Sequence, residues 1–292
     1  MRVVLALTGR NLRTFFRDRM NVVFSLLGAL ILFGLYALFL GNLQVTGLAQ
    51  SLPGAATADV QVFVDSWMFA GVVLITTVTS GLGALAAVVD DSQSGRFREF
   101  LVAPVRRAQL VAGYLLAAVV VAVAMSAVVL AVSLAYLGLL RGSWLDPGQV
   151  LRALGIMVLS CIAFTAFSAL MVSFVRTSGA YSALATIVGT VLGFIAAAYL
   201  PMGALPSGVG SVVAALPFAQ AGMLLRREYA GEALERMTAQ APGALPELRS
   251  YFGLDLEVGG WSVPVWAVVA SLVLLTAACA AVSALRIRRR IR

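Results

Sequence analysis

Lysine and histidine are absent from this chain of 292 residues, and cysteine occurs twice, as Cys161 and Cys279. Without lysine no GxxxxGK[ST] phosphate-binding loop can be written anywhere in the sequence, so ATP-driven work requires a partner chain. Without histidine there is no histidine-based catalytic triad, no histidine metal site and no imidazole proton relay. Both cysteines fall inside apolar stretches, where small packing residues are expected rather than redox or metal ligands. Charge is scarce as well. Charged residues make up 12% of the chain and hydrophobic ones 61%, whereas a soluble domain carries about twice that share of charge. The mean hydropathy is +0.97, which marks an integral membrane protein, and no nucleic-acid partner is expected. The net charge of +8 comes entirely from arginine.

A membrane helix needs about 20 mostly apolar residues, and six segments qualify: 21–40, 67–89, 110–140, 151–175, 180–200 and 262–285. The third exceeds a hydrocarbon core of about 30 Å, so it must tilt, kink or project. The reading is one all-α domain across 1–292. Arg2, Arg10, Arg13, Arg17, Arg19, Arg96, Arg98, Arg106, Arg107, Arg176, Arg286, Arg288, Arg289, Arg290 and Arg292 fall on one side of these spans. Arg141, Arg152, Arg226, Arg227, Arg236 and Arg249 fall on the other, four of them in a long connection that weighs little. The positive-inside rule therefore places both termini in the cytoplasm of a multi-pass plasma (inner) membrane protein. Residues 1–20 have Arg10, Arg13 and Arg17 at i, i+3 and i+7, with Leu5, Leu12, Phe15 and Phe16 at other positions. This pattern suits an amphipathic helix on the inner leaflet, in contact with lipid, or a plain topology anchor. The apolar run behind it is too long for a cleaved signal and is expected to be retained.

Residues 90–107 form a charged island between spans 2 and 3. Asp91 is placed to cap a short helix that Pro104, Arg106 and Arg107 end. Phe97, Phe100, Leu101 and Pro104 recur at i, i+3, i+4 and i+7, with Arg96, Arg98 and Glu99 around them. The segment thus reads as an amphipathic helix outside the bilayer. Asp90 and Asp91 could instead hold Mg²⁺, but no further acids follow at ligand spacing, and capping is the preferred role. Between 201 and 260, Pro201, Pro206 and Pro217 punctuate an apolar run too broken for a full span. A re-entrant pair of short helices is expected there, with Trp261 and Trp266 as interfacial anchors of the last span.

No ionisable residue falls in the middle of the six expected spans, which weakens an ion-coupled transporter. What they carry is hydroxyls: Thr76, Thr77, Thr79 and Ser80 in the second, and Ser182, Thr186 and Thr190 at i, i+4 and i+8 in the fifth. Two roles are open to these rows, helix packing and a mildly polar wall along a substrate path.

Taken together, the basic segment Arg10-Asn11-Leu12-Arg13 through Arg17-Asp18-Arg19, the six spans and the stretch from Asp90-Asp91-Ser92 through Gly95 to Leu101-Val102-Ala103-Pro104-Val105-Arg106 resemble the membrane subunits of type-2 ABC exporters. Leu205-Pro206, Leu216-Pro217 and Leu225-Arg226 extend the likeness to the region where that family places two re-entrant helices. The resemblance implies an elbow helix before span 1. It also implies a cytoplasmic coupling helix at 90–107 that docks on an ABC ATP-binding subunit through Asp90, Asp91, Arg96, Phe97, Arg98, Glu99, Phe100, Leu101 and Pro104. Two copies of that subunit and a second permease subunit would complete the complex, as a homodimer or heterodimer. ATP and Mg would sit in the partner, with no catalytic residue, metal or cofactor in this chain. The cargo implied is a drug or antibiotic, or a lipid or lipid-linked polysaccharide, moving between the second and fifth spans. The rival class is a self-contained secondary transporter or channel. A membrane-embedded transferase would need a polar catalytic cluster that the sequence does not offer.

Overall fold

A computed structural model describes residues 2–96 and 106–290. It is 83% helical, with about six helices long and apolar enough to cross a membrane. The N-terminal helix α1 (Arg2–Arg17) packs its Leu7, Thr8, Asn11 and Phe15 face inward. Asp18 then breaks the chain: its carboxylate accepts from the backbone N–H groups of Met20 and Asn21, each at 3.1 Å, and starts α2 (Arg19–Ser25). Such a cap satisfies donors that the first turn of a helix leaves open.

The first span departs from expectation. After a break at Leu26 it runs as α3 (Leu27–Leu35), a π-helical turn (Tyr36–Leu40) and α4 (Gly41–Ser51), so it ends at 51 rather than 40. Gly41, Asn42 and Gln44 did not end the helix, because no proline occurs before Pro53. The second span, α5 (Thr57–Ala84), begins at 57 rather than 67 and stops at Leu85, before α6 (Ala86–Gln93). Its first turns carry Asp59, Gln61 and Asp65. Polar residues there made the start look like a loop. In the fold, Asp65 and Gln61 instead receive Arg141 at 2.6 and 3.0 Å.

Helix α7 (Arg107–Arg141) runs 35 residues without a break, and Gly142 ends it in the left-handed conformation at φ 64°. Helix α8 (Pro147–Val172) starts on an Asp146 cap with proline in its first turn, and α9 (Ser178–Ile195) starts on Thr177. Helices α10 (Ser207–Ala215) and α11 (Pro217–Met237) meet at 81°, with Leu216 and Pro217 at the corner. A proline at the first helical position fits here, since its missing N–H would have had no partner. A short helix α12 (Leu245–Tyr251) and a hairpin of Glu257–Val258 with Trp261–Ser262 lead into α13 (Val265–Arg290).

The core lies where α5 packs against α7, α8 and α11. Gly81 lets α5 approach α8 closely: a Cβ there would stand 2.5 Å from the Thr165 hydroxyl. By contrast, α9 and α13 present most of their surface outward, as does the span formed by α3 and α4. Arg286 lies 3.7 Å over the Phe174 ring. The C-terminal part of α13 and the α8–α9 turn therefore share one end of the bundle, called the terminal end below. The segment from 196 to 264 occupies the opposite, distal end.

Candidate functional site

At the terminal end, three elements converge on one carboxylate. Asp91 sits in the last turn of α6, 3% exposed. Arg10 of α1 holds it with both guanidinium nitrogens, Nη1 to Oδ2 at 2.7 Å and Nη2 to Oδ1 at 3.1 Å. Tyr114 of α7 donates its hydroxyl to Oδ2 at 2.5 Å, and Arg96 donates to Oδ1 at 3.2 Å. The Asp91 hydrogen bond raises the Arg10 guanidinium above its ordinary value, against the opposing effect of burial. Close packing supports these bonds: Thr8 donates to the Gly113 carbonyl at 3.3 Å, and a Cβ on Gly113 would meet Leu7 at 2.7 Å.

The same junction reaches α9. Tyr181 donates to the Leu82 carbonyl at 2.8 Å, and Ser178 bonds the Gln93 side chain. The end of α6 is thereby tied to α1, α7 and α9 at once.

The cap expected at Asp91 is not what the structure has. Asp90 and Asp91 belong to α6, which begins at Ala86 with Leu85 at its N-cap. Asp91 therefore serves as an acceptor for three side chains, because α6 continues past 90 until Ser94 and Gly95 turn the chain at φ 75°. Arg96 is helical. Phe97, Arg98, Glu99, Phe100, Leu101 and Pro104 lie outside the described residues.

The two hydroxyl rows are not brought together. Thr76, Thr77 and Ser80 are buried inside the subunit, and Thr76 and Thr77 donate to the carbonyls of Val72 and Leu74 in their own helix. Thr79 and Ser80 reach the Ser25 carbonyl across a break in the first span, at 3.1 and 3.5 Å. Threonine hydroxyls bonded this way give a helix wall little free polarity. The row on α9 faces outward. Thr186 and Thr190 are exposed and bond back to the carbonyls of Ser182 and Thr186. As placed here, the α5 row packs helices, and only the α9 row borders open space.

At the distal end, each arginine is engaged. Arg141 meets Asp65, Arg152 meets Glu228, Arg227 and Arg249 share Asp255, and Arg236 reaches Ser143. Arg226 differs: it is fully buried, and its Nη2 donates to the carbonyls of Ala196 and Ala197, both at 2.7 Å. Its guanidinium stands 5.3 Å from the Trp67 ring centre.

Residues 42–285 match the sequence model of the family described as ABC-2 family transporter protein. The chain belongs to the ABC-2 transporter family. No curated protein matches it. ABC-2 permeases are the membrane-spanning subunits of transporters, and this one is multi-pass. Two of its buried polar contacts escaped the sequence. Tyr114 is one apolar-span tyrosine among several, with nothing nearby to single it out. Arg226 was counted among the distal arginines, with nothing local to mark it as buried.

Proposed function

We propose that this ABC-2 permease is the membrane half of an ATP-driven exporter. A separate ABC ATP-binding subunit docks on the connection between α6 and α7, and a second permease subunit completes the path. The observation that carries this reading is the Asp91 junction. A docking segment transmits force only if its base is fixed to the spans, and this one follows a helix, α6, whose last turn carries a carboxylate that binds α1 and α7 together. In this reading the terminal end is cytoplasmic. It is there that exposed Arg13, Arg17 and Arg19 of the elbow meet anionic headgroups. Four of the six distal arginines lie in the long connection between the last two spans, which adds little to the charge that sets orientation.

Phe97, Phe100 and Leu101 are the apolar knobs of the dock, with Arg96, Arg98 and Glu99 as its polar contacts. ATP and Mg²⁺ belong to the partner. The cargo is hydrophobic or amphipathic, either a drug or antibiotic or a lipid, and leaves the cell along the exposed face of α9. The experiment is co-purification of the permease with its ATP-binding subunit. Phe97→Ala combined with Glu99→Ala should abolish capture while the permease still elutes as a folded species. Undiminished capture by that double variant would overturn the docking assignment.

A further inference from the structure

Helix α9 ends in a strained and unusually guarded way. Ala198 and Tyr199 both donate to the Gly193 carbonyl, at 2.9 and 3.2 Å, which is the closure of a helix C-terminus around a left-handed residue. That position normally takes glycine. Here it is Ala197, at φ 49°, whereas the other residues recorded with positive φ are all glycines. Strain of this kind persists only where surrounding contacts hold it, and it clusters at switching sites.

Arg226 supplies the hold. Its Nη2 clamps the carbonyls of Ala196 and Ala197, which the helix end would otherwise leave open. Trp67 of α5 forms the floor beneath the guanidinium and donates its indole N–H to the Phe252 carbonyl at 2.7 Å. Tyr36 of the first span adjoins Trp67 and reaches the Tyr199 carbonyl at 3.4 Å. One cation thus fastens α9, α5, α11 and the distal segment. No bond is recorded to Nε or Nη1 among the described residues, so the clamp rests on Nη2 and the stacked face. Gly253 leaves the room it needs, for a Cβ there would come within 3.0 Å of Nη1 and 2.8 Å of Met202.

We propose that Arg226 is the positioning residue of the outer gate: it holds the distal end of α9 shut against α5, and export requires its carbonyl clamp to break. This rests on the exporter reading for the word outer, while the closure itself is tested without any ATPase. Ala198, 1% exposed, is the reporter. Ala198→Cys is placed in a Cys279→Ala background, and vesicle-reconstituted permease is treated with a membrane-impermeant maleimide. Labelling is read by peptide mass, with buried Cys161 as the internal control for an intact fold.

Adding Arg226→Met should raise the labelling rate at position 198 at least tenfold and leave Cys161 protected. Arg226→Lys, which keeps a cation able to reach one carbonyl, should restore much of the protection. Ala197→Gly, which removes the left-handed strain from the closed form, should lower labelling below the parent. If Arg226→Met does not fold, Gly253→Ala crowds the same guanidinium and should raise labelling in its place. Unchanged labelling at 198 in folded Arg226→Met or Gly253→Ala protein would overturn the proposal, as would protection lost equally at 198 and Cys161. Failure of the exporter reading would show separately, as wild-type permease that binds no ATP-binding subunit.

Discussion

Asp91 concentrates three donors on one buried carboxylate, so the consequences of losing it are uneven. Asp91→Asn leaves the Arg10 charge with a neutral partner, and breaking a buried ion pair costs about 3–5 kcal/mol. The loss here should fall below that range, because the Arg10 side chain keeps 35% of its exposure. Tyr114→Phe removes only one hydrogen bond to a charged group, about 1.5–3 kcal/mol. Thermal unfolding in detergent should therefore place both Asp91→Asn and Tyr114→Phe below the parent. The sequence showed Asp91 as charged and near a helix boundary. It could not show the partners, since Arg10 lies 81 positions away and Tyr114 lies 23.

Asp255 gives a pH-dependent counterpart at the distal end. Burial opposes its ionisation, but hydrogen bonds from Arg249 and Arg227 outweigh this and hold the carboxyl below the usual carboxylate range. A depressed value means that the pairing contributes fully above the ordinary carboxylate pKa and is lost as pH falls through the lowered one. Segment 238–260 should resist acid protease at pH 5 and become cleavable only once the pH falls below the ordinary carboxylate range, with Asp255→Asn cleavable under both conditions. Equal resistance of the variant at pH 5 would show that the pairs do not hold this segment.

Helices were legible in outline and misjudged at their ends. Apolar length located all six spans, but α5 starts among Asp59, Gln61 and Asp65, and the polarity of the last two is satisfied by a residue on α7 and so could not be discounted from the local pattern. Likewise α6 takes in Asp90 and Asp91, so the charged segment expected to start at 90 starts only after the Ser94-Gly95 turn. The proline-led corner between α10 and α11 was visible, because Leu216-Pro217 is a local signal with a local cause. Packing between helices was not. At Gly81 the Thr165 hydroxyl stands where a Cβ would go. Gly81→Ala should destabilise by about 1–3 kcal/mol through overpacking. Adding Thr165→Ala should recover most of that, because the nearest remaining side-chain atom, Thr165 Cβ, is then 3.4 Å away. A double-mutant cycle in detergent unfolding measures the rescue.

Across the whole permease, burial is lopsided. Helix α9 leaves Ile187, Val191 and Phe194 exposed at 61%, 43% and 48%, on the element that also carries Thr186 and Thr190. If that face borders the second subunit, Val191→Cys should form an intermolecular disulfide on mild oxidation in native membranes, whereas a cysteine at core-facing Leu272 should not. Absence of the Val191 cross-link would place the pairing face elsewhere.

Span lengths are equally uneven. Helix α7 has 35 residues and α9 has 18, which at 1.5 Å per residue makes them about 52 Å and 27 Å long. A hydrocarbon layer of about 30 Å cannot fit both walls at uniform depth. The bilayer meets excess length beside α7, where the helix stands clear of the oil, and a shortfall beside α9, where lipids must shorten to match. The hydrocarbon layer is therefore thinnest along α9, the helix proposed to border the export path, and a greasy cargo there would cross the shortest depth of oil.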